Sequence, residues 1–327
     1  MWGAGRRYFQ VSRSRALLRA CYRCYVAAAL VASSLVPLSA AAWNASGHRL
    51  SALIAWQQLD EATRGRVTQL LALHPDYTRW LAATQGGTDR RSVFVEASTW
   101  PDDIKHDRRF HDGGEGEPTR HLAGFPDMLR HRDWHYVNYS LASKAWATAA
   151  HGELDKRLDA LISVLADENA PHAERAYALP WLVHLIADAH QPLHVVSRYD
   201  ATGEGDEGGN RTLIRRPFRG RLSSVSLHAY WDDLPVSAGL RGERLLRAAA
   251  TIVNAHPQPD AQDGTQHWLH ESWRIARESA YPADASLVPS LTPEFHERAS
   301  AIAQRRVAES GYRLAVVLTR VLGSRAE

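Results

Sequence analysis

The stretch WLVHLIADAHQPLH, residues 181–194, decides how this chain is read. Trp181, Leu182, Val183, Leu185 and Ile186 are core residues, and their spacing predicts a buried helix. The pattern runs upstream through HAERAYALP, so the helix should start near Pro171 and be ended by Pro192. Four ligand-type side chains interrupt it. His184 and Asp188 are four apart and share one face. His190 faces away from His184 and suits a hydrogen bond in the core, while His194 lies on the departing chain.

A second His-x-x-x-Asp pair occurs in LHAYWDDLP, as His228 and Asp232. One such pair reads as a core histidine with its hydrogen-bonded carboxylate. Two pairs embedded in Leu, Ile, Trp and Tyr are harder to explain that way, because a buried carboxylate without a cation is strongly unfavourable. Neither segment supplies Arg or Lys on the same face, so a divalent metal is expected. Further candidates are Asp102 and Asp103 in ASTWPDDIK, His135 in DWHYVNY, and His48 in GHRLSALIA. Imidazole and carboxylate without sulfur suit a hydrolytic zinc site with open positions. The zinc-protease motif H-E-x-x-H is absent.

Outward from these motifs the periodicity is helical. Helices are expected over 48–59, 62–73, 152–168, 240–255, 267–280 and 293–322, the last as one helix or two. Residues 91–97 fit helix or strand, and 212–215 fit a short strand. Residues 106–131 and 199–223 read as irregular, and His106, His111, His121 and His131 in the first are expected in solvent. The second contains four glycines and four acidic residues between Asp200 and Asn210, which suits a surface loop. With no linker between two cores, the expected fold is a single all-α domain with metal at its centre.

The first 42 of the 327 residues carry six arginines and no acid, then an apolar run from Tyr25 to Leu38, then Ala40 and Ala42 at the small positions of an A-x-A site. That order predicts a signal peptide cut between Ala42 and Trp43, an uncut anchor being the alternative. RRYF at 6–9 faintly resembles a twin-arginine signal, but it lies far from the apolar run. Without the leader, 33 basic residues face 36 acidic ones, so the net charge moves from +3 to −3 and no basic nucleic-acid surface is implied. Cys21 and Cys24, the chain's two cysteines, leave with it, so their C-x-x-C spacing is neither redox motif nor zinc site. The expected mature protein, 43–327, is exported to the periplasm or secreted, with no membrane segment. Sequons occur at Asn44, Asn138 and Asn210 and would matter in a eukaryote, but those at Asn138 and Asn210 read as coincidental, because both residues are expected in the active site.

In order, W-x4-H at Trp43, L-V-H-x3-D-x-H-Q-P-L-H, G-G-N at 208–210 and L-H-x-x-W-D resemble the zinc-dependent single-strand nucleases. That family includes the fungal nucleases called S-one and P-one and the plant bifunctional nucleases, and shares its fold with bacterial zinc phospholipases C. The resemblance covers nearly the whole chain after Trp43 and implies three zinc ions. One would be held by Asp102, His135, His184 and Asp188. A neighbour would share Asp188 and add His48 and the α-amine and carbonyl of Trp43. The third would take His194, His228 and Asp232. The spacing from Trp100 favours Asp102 over Asp103. The resemblance also implies catalytic roles for Asp102 and Lys105, a base stacked on Tyr136, and nucleotide contacts from Gly208, Gly209 and Asn210. Asn138 stands where the family usually has an acid, so an amide that donates as well as accepts would meet the base edge.

The implied activity is hydrolysis of single-stranded DNA and RNA to 5′-phosphate products, with 3′-nucleotidase activity, by a monomer. Two close metal ions sharing a carboxylate suit in-line phosphodiester hydrolysis, and a paired base cannot lie on Tyr136. The alternatives are a zinc phospholipase C and a non-catalytic periplasmic zinc-binding protein.

Overall fold

Helices dominate the chain in the order α1 (Ala45–Gln58), α2 (Glu61–Ala72), α3 (Tyr77–Ala83), α4 (Arg90–Ala97), α5 (Trp100–Asp103), α6 (Leu154–Ala166), α7 (His172–Ala189), α8 (Leu227–Asp232), α9 (Gly242–Ala255), α10 (Thr265–Ile275) and α11 (Pro293–Leu322). The computed structural model describes residues 43–84, 89–114, 119–143, 151–216, 224–259, 264–284 and 286–323. The expected signal peptide, 1–42, lies outside the described residues. Residues 41–327 form one unit. Among the described residues no helix is long and apolar enough to cross a membrane.

Strands are minor. β1 (Tyr139–Ser140) pairs in parallel with β2 (Val196–Ser197), and β3 (Leu213–Arg215) pairs antiparallel with β4 (Ser224–Ser226). Residues 91–97, open between two readings, are helical. They carry Val93, Phe94 and Val95 into the core.

Two helices are buried nearly all round. In α7 every residue from Ala176 to Ala189 is buried. Each Leu or Ile hidden there contributes about 1.5–3 kcal/mol, enough together to tolerate Pro180 inside the helix, which costs about 3 kcal/mol. Helix α1 starts at Asn44, whose Oδ1 accepts from the N–H groups of Ser46 and Gly47. It packs along α11, one continuous helix of 30 residues. Gly311 permits that contact, because a Cβ there would lie 2.7 Å from Ile54 Cβ and 2.9 Å from the Ser51 carbonyl. Ser310 Oγ bonds Ser51 Oγ at 2.8 Å beside it.

One expectation holds and another needs correction. Helix α7 ends at Ala189 with His190 as its C-cap, and Pro192 bounds it by holding Gln191 extended at ψ 117°. Pro192 also opens a 3-10 turn, Pro192–His194, at the position where a missing N–H costs nothing. The segment 106–131 is not wholly a solvated insert. His106 and His121 are exposed, but Phe110, Phe125 and Met128 are buried, the two phenylalanines against Trp100. His131 is part-buried, stacks on Trp134 at 3.8 Å and lies 3.0 Å from both oxygens of Asp127. Phe110 and Phe125 pack on Trp100 within the core, while His131 is held by Trp134 and Trp181, outside the insert.

Candidate metal centre

Five side chains from four elements converge at the C-terminal end of α7. His48 comes from the first turn of α1, Asp102 from α5, His135 from the end of the 3-10 turn Arg132–His135, and His184 and Asp188 from one face of α7. Asp188 is fully buried, and its two oxygens face different partners. Oδ1 lies 3.5 Å from His48 Nε2, while Oδ2 lies 3.1 Å from His135 Nδ1 and 3.3 Å from His184 Nε2. Asp102 faces the same three rings at 3.7–3.9 Å. His48 stacks on His184 with centroids 3.8 Å apart.

A second group adjoins the first. His194 Nε2 and His228 Nε2 are 3.1 Å apart, and Asp232 Oδ2 is 3.6 Å from His228 Nε2. The groups are joined through His135, whose carbonyl accepts a 2.6 Å bond from His194 Nδ1.

The donor set fits metal ions. Separations of 3.1–3.9 Å are those of nitrogen and oxygen ligands sharing one ion at about 2.0–2.2 Å each. Three sets of ligand atoms fall within 4.8 Å of one another: His48, Asp102 and His184; His135, His184 and Asp188; His194, His228 and Asp232. Three histidines donate Nδ1–H to carbonyls: His184 to Ser98, His194 to His135 and His228 to Gly208, at 2.6–2.8 Å. That fixes the tautomer and leaves each Nε2 lone pair aimed inward. His48 Nε2 and Asp188 Oδ1 are buried without a hydrogen bond, which is costly unless a ligand completes them.

Electrostatics agree for four of the five rings; His184 is the exception, where burial is outweighed by Asp188 and Asp102, which raise it above its ordinary value. Burial pushes the Asp188 carboxyl up to about 6 against the pull of His184, and drives Asp232 well above the usual carboxylate range. Burial would also raise Asp102, but Lys105 and then His184 outweigh it and hold that carboxyl below its ordinary value. Burial holds His48, His135 and His194 far below their ordinary value and takes His228 to about 4, so these rings are neutral and able to ligate. No lysine or arginine pairs with Asp188 among the described residues; the Lys105 ammonium bonds Asp102 Oδ1 instead, at 2.7 Å.

The remaining candidates sort by position. Asp103 turns away to bond Thr99 Oγ1 at 3.3 Å, which leaves Asp102 facing the centre. Trp43 is fully buried and its indole donates to the Ala187 carbonyl at 3.0 Å, next to Asp188. Asn44 N–H donates to the Asp232 carbonyl at 3.1 Å, so the start of the described chain is strapped between both groups. Tyr136 is half-buried beside His135, with its hydroxyl on Asp133 Oδ1 at 3.1 Å. Asn138 is buried on the same segment. Gly208, at φ +61°, orients His228, and a Cβ there would sit 2.3 Å from the Leu193 carbonyl. Gly209 accepts from His228 N–H, and Asn210 Nδ2 bonds the Glu207 carbonyl at 2.8 Å. His190 keeps away from the centre, donating to Ile186 and accepting from Arg313 at 2.8 Å.

Sequence reasoning missed the groups that aim the ligands: the Ser98 and Gly208 carbonyls, Asp133 against Tyr136, and Gln191. Backbone carbonyls leave no mark in residue types. Gln191 could have been noticed as a polar residue fixed between a buried helix and a proline.

The site is thus a closely spaced histidine and carboxylate cage for divalent ions inside an α-helical protein. The chain belongs to the S1/P1 nuclease family, whose pattern matches residues 43–323. It is 26% identical to Endonuclease 4 of Arabidopsis thaliana over 93% of this chain and 96% of that protein. It is 26% identical to Endonuclease 1 of the same plant, over 86% and 88% of the two chains. With Nuclease S1 of Aspergillus oryzae it shares 22% identity, over 87% and 96%.

Proposed function

We propose that this protein is a zinc-dependent endonuclease that hydrolyses phosphodiester bonds of single-stranded DNA and RNA to 5′-phosphate products, with 3′-nucleotidase activity. It acts as an exported monomer, in the periplasm or secreted, after cleavage before Trp43. The observation that carries the reading is the Asp188 carboxylate, buried at the centre of the cage with its oxygens facing different histidines. The nuclease names of the relatives add to it.

Asp102, His135, His184 and Asp188 would hold one zinc ion; Asp188, His48 and the α-amine and carbonyl of Trp43 a second; His194, His228 and Asp232 a third. Bound zinc supplies Lewis acidity and a nucleophile near neutral pH. The chain's own residues do the rest. Asp102 orients the attacking water, and Lys105, held on Asp102, offers positive charge to the phosphate as its charge grows. Tyr136 offers an aromatic face to an unpaired base, which a base stacked in a duplex cannot reach. Asn138 and Asn210 offer amide groups to the nucleotide.

The test uses protein starting at Trp43, analysed for zinc and assayed on single-stranded DNA, duplex DNA and phosphatidylcholine, before and after chelation. Chelator-sensitive cleavage of single-stranded DNA is expected. Full zinc with no nucleic-acid cleavage would mean a zinc-binding protein, and turnover of phosphatidylcholine alone would mean a phospholipase.

A further inference from the structure

We infer that Gln191 is a positioning residue that couples two ligands of the third metal position, His194 and Asp232, and selects which oxygen of Asp232 faces the ion. The inference rests on the metal reading above.

Gln191 is fully buried and touches both ligand-bearing segments. Its Oε1 accepts from Leu193 N–H at 2.6 Å, capping the 3-10 turn that ends in His194. Its Nε2 donates to Asp232 Oδ1 at 2.8 Å. Its own N–H donates to the Asp188 carbonyl at 3.0 Å, which ties it to the end of α7.

An amide has one accepting end and one donating end, and both are committed here. With Oδ1 of Asp232 engaged, Oδ2 is left toward His228 Nε2 at 3.6 Å, and Asp232 is prepared as a one-oxygen ligand. The turn and the carboxylate come from elements 41 residues apart, and Gln191 sets their relative position through one rigid group. A glutamate here could still cap Leu193 but could not donate to Asp232. Hydrogen-bond partners of metal ligands are typically worth about 10- to 100-fold in metal affinity.

The experiment compares Gln191→Glu and Gln191→Leu with wild type, all starting at Trp43. Zinc content after dialysis and competition against a chromogenic chelator are measured, with circular dichroism as a check on folding. Both variants should retain helical content and weaken one class of zinc site by about 10- to 100-fold, leaving the others unchanged. The Gln191→Leu, Asp232→Asn double variant should lose less zinc affinity than the two single losses combined, because one of the two links that leucine removes runs through the Asp232 carboxylate. Wild-type zinc affinity in Gln191→Glu, or additive losses in the double variant, would overturn the role of Gln191. A wild type that binds no zinc would instead overturn the metal reading, and this inference with it.

Discussion

Lys105 Nζ donates to Asp102 Oδ1 at 2.7 Å, and the same carboxylate faces three histidines of the cage. A cation is thereby placed at the edge of the centre without being needed to hold metal. Lys105→Met should keep its zinc and lose about 100- to 1000-fold in turnover of single-stranded DNA. Zinc analysis and kcat on one preparation check this. Zinc loss in proportion to activity would assign Lys105 to assembly of the site.

Trp43 and Gly47 are packed so that a Cβ at Gly47 would lie 2.8 Å from Trp43 Cβ. Protein beginning Met-Trp43 leaves the indole pocket untouched but shifts the free amine by one residue. It should bind less zinc than protein beginning at Trp43 and lose most activity. Gly47→Ala should lower zinc content as well, by displacing Trp43 itself. Equal zinc and activity in the two N-terminal forms would count against the amine as a ligand.

Tyr136 presents a half-buried ring beside His135, its hydroxyl bonded to Asp133. Tyr136→Ala should raise KM for single-stranded DNA by about 5- to 150-fold, the value of one base–aromatic stack. Tyr136→Phe keeps the ring and should stay close to wild type. An unchanged KM in the alanine variant would remove Tyr136 from the binding surface.

Gly311 lies far along the chain from any ligand, but it lets α11 approach α1, the helix that carries His48, at Ile54 and Ser51. Gly311→Ala should cost about 1–3 kcal/mol through overpacking. Thermal melting should show a lowered Tm, with kcat at 25 °C little changed. A Tm equal to wild type would mean that the helices separate without cost.

Glu271 links α10 to Arg306 and Arg313 of α11. Burial alone would raise its carboxyl, but the Arg313 hydrogen bond and the Arg306 charge bring it down from 4.5 to about 2. A depressed carboxyl stabilises the fold above its unfolded value and loses that contribution as pH falls through its folded value. The stabilisation should therefore fade between about pH 4.5 and 2. Glu271→Gln should be less stable than wild type at pH 7 by about 2–4 kcal/mol, with the gap closing by pH 2. Urea midpoints for both proteins across that range test it, since any zinc loss on acidification is common to both.

Much of this organisation was legible beforehand. Helical periodicity located α1, α2, α6, α7, α9, α10 and α11 to within a few residues, because their apolar faces repeat at the helical spacing. Residues 91–97 were not decidable, because a short apolar run fits either geometry until its neighbours are known. The segment 106–131 misled because polar residues outnumber Phe110, Phe125 and Met128, although those three govern its packing.

By itself the sequence determined the chemistry of the site. Residue type and four-residue spacing place His184 with Asp188 and His228 with Asp232, and no fold is needed to see that carboxylates among apolar residues call for a cation. Only the tertiary structure decided how those pieces meet. It turned Asp102 inward and Asp103 outward, aimed His184, His194 and His228 with backbone carbonyls, and set Gln191 between two segments. The physical reason is that ligation depends on lone-pair direction. Direction is fixed by hydrogen bonds to groups distant in the chain, which no local pattern encodes.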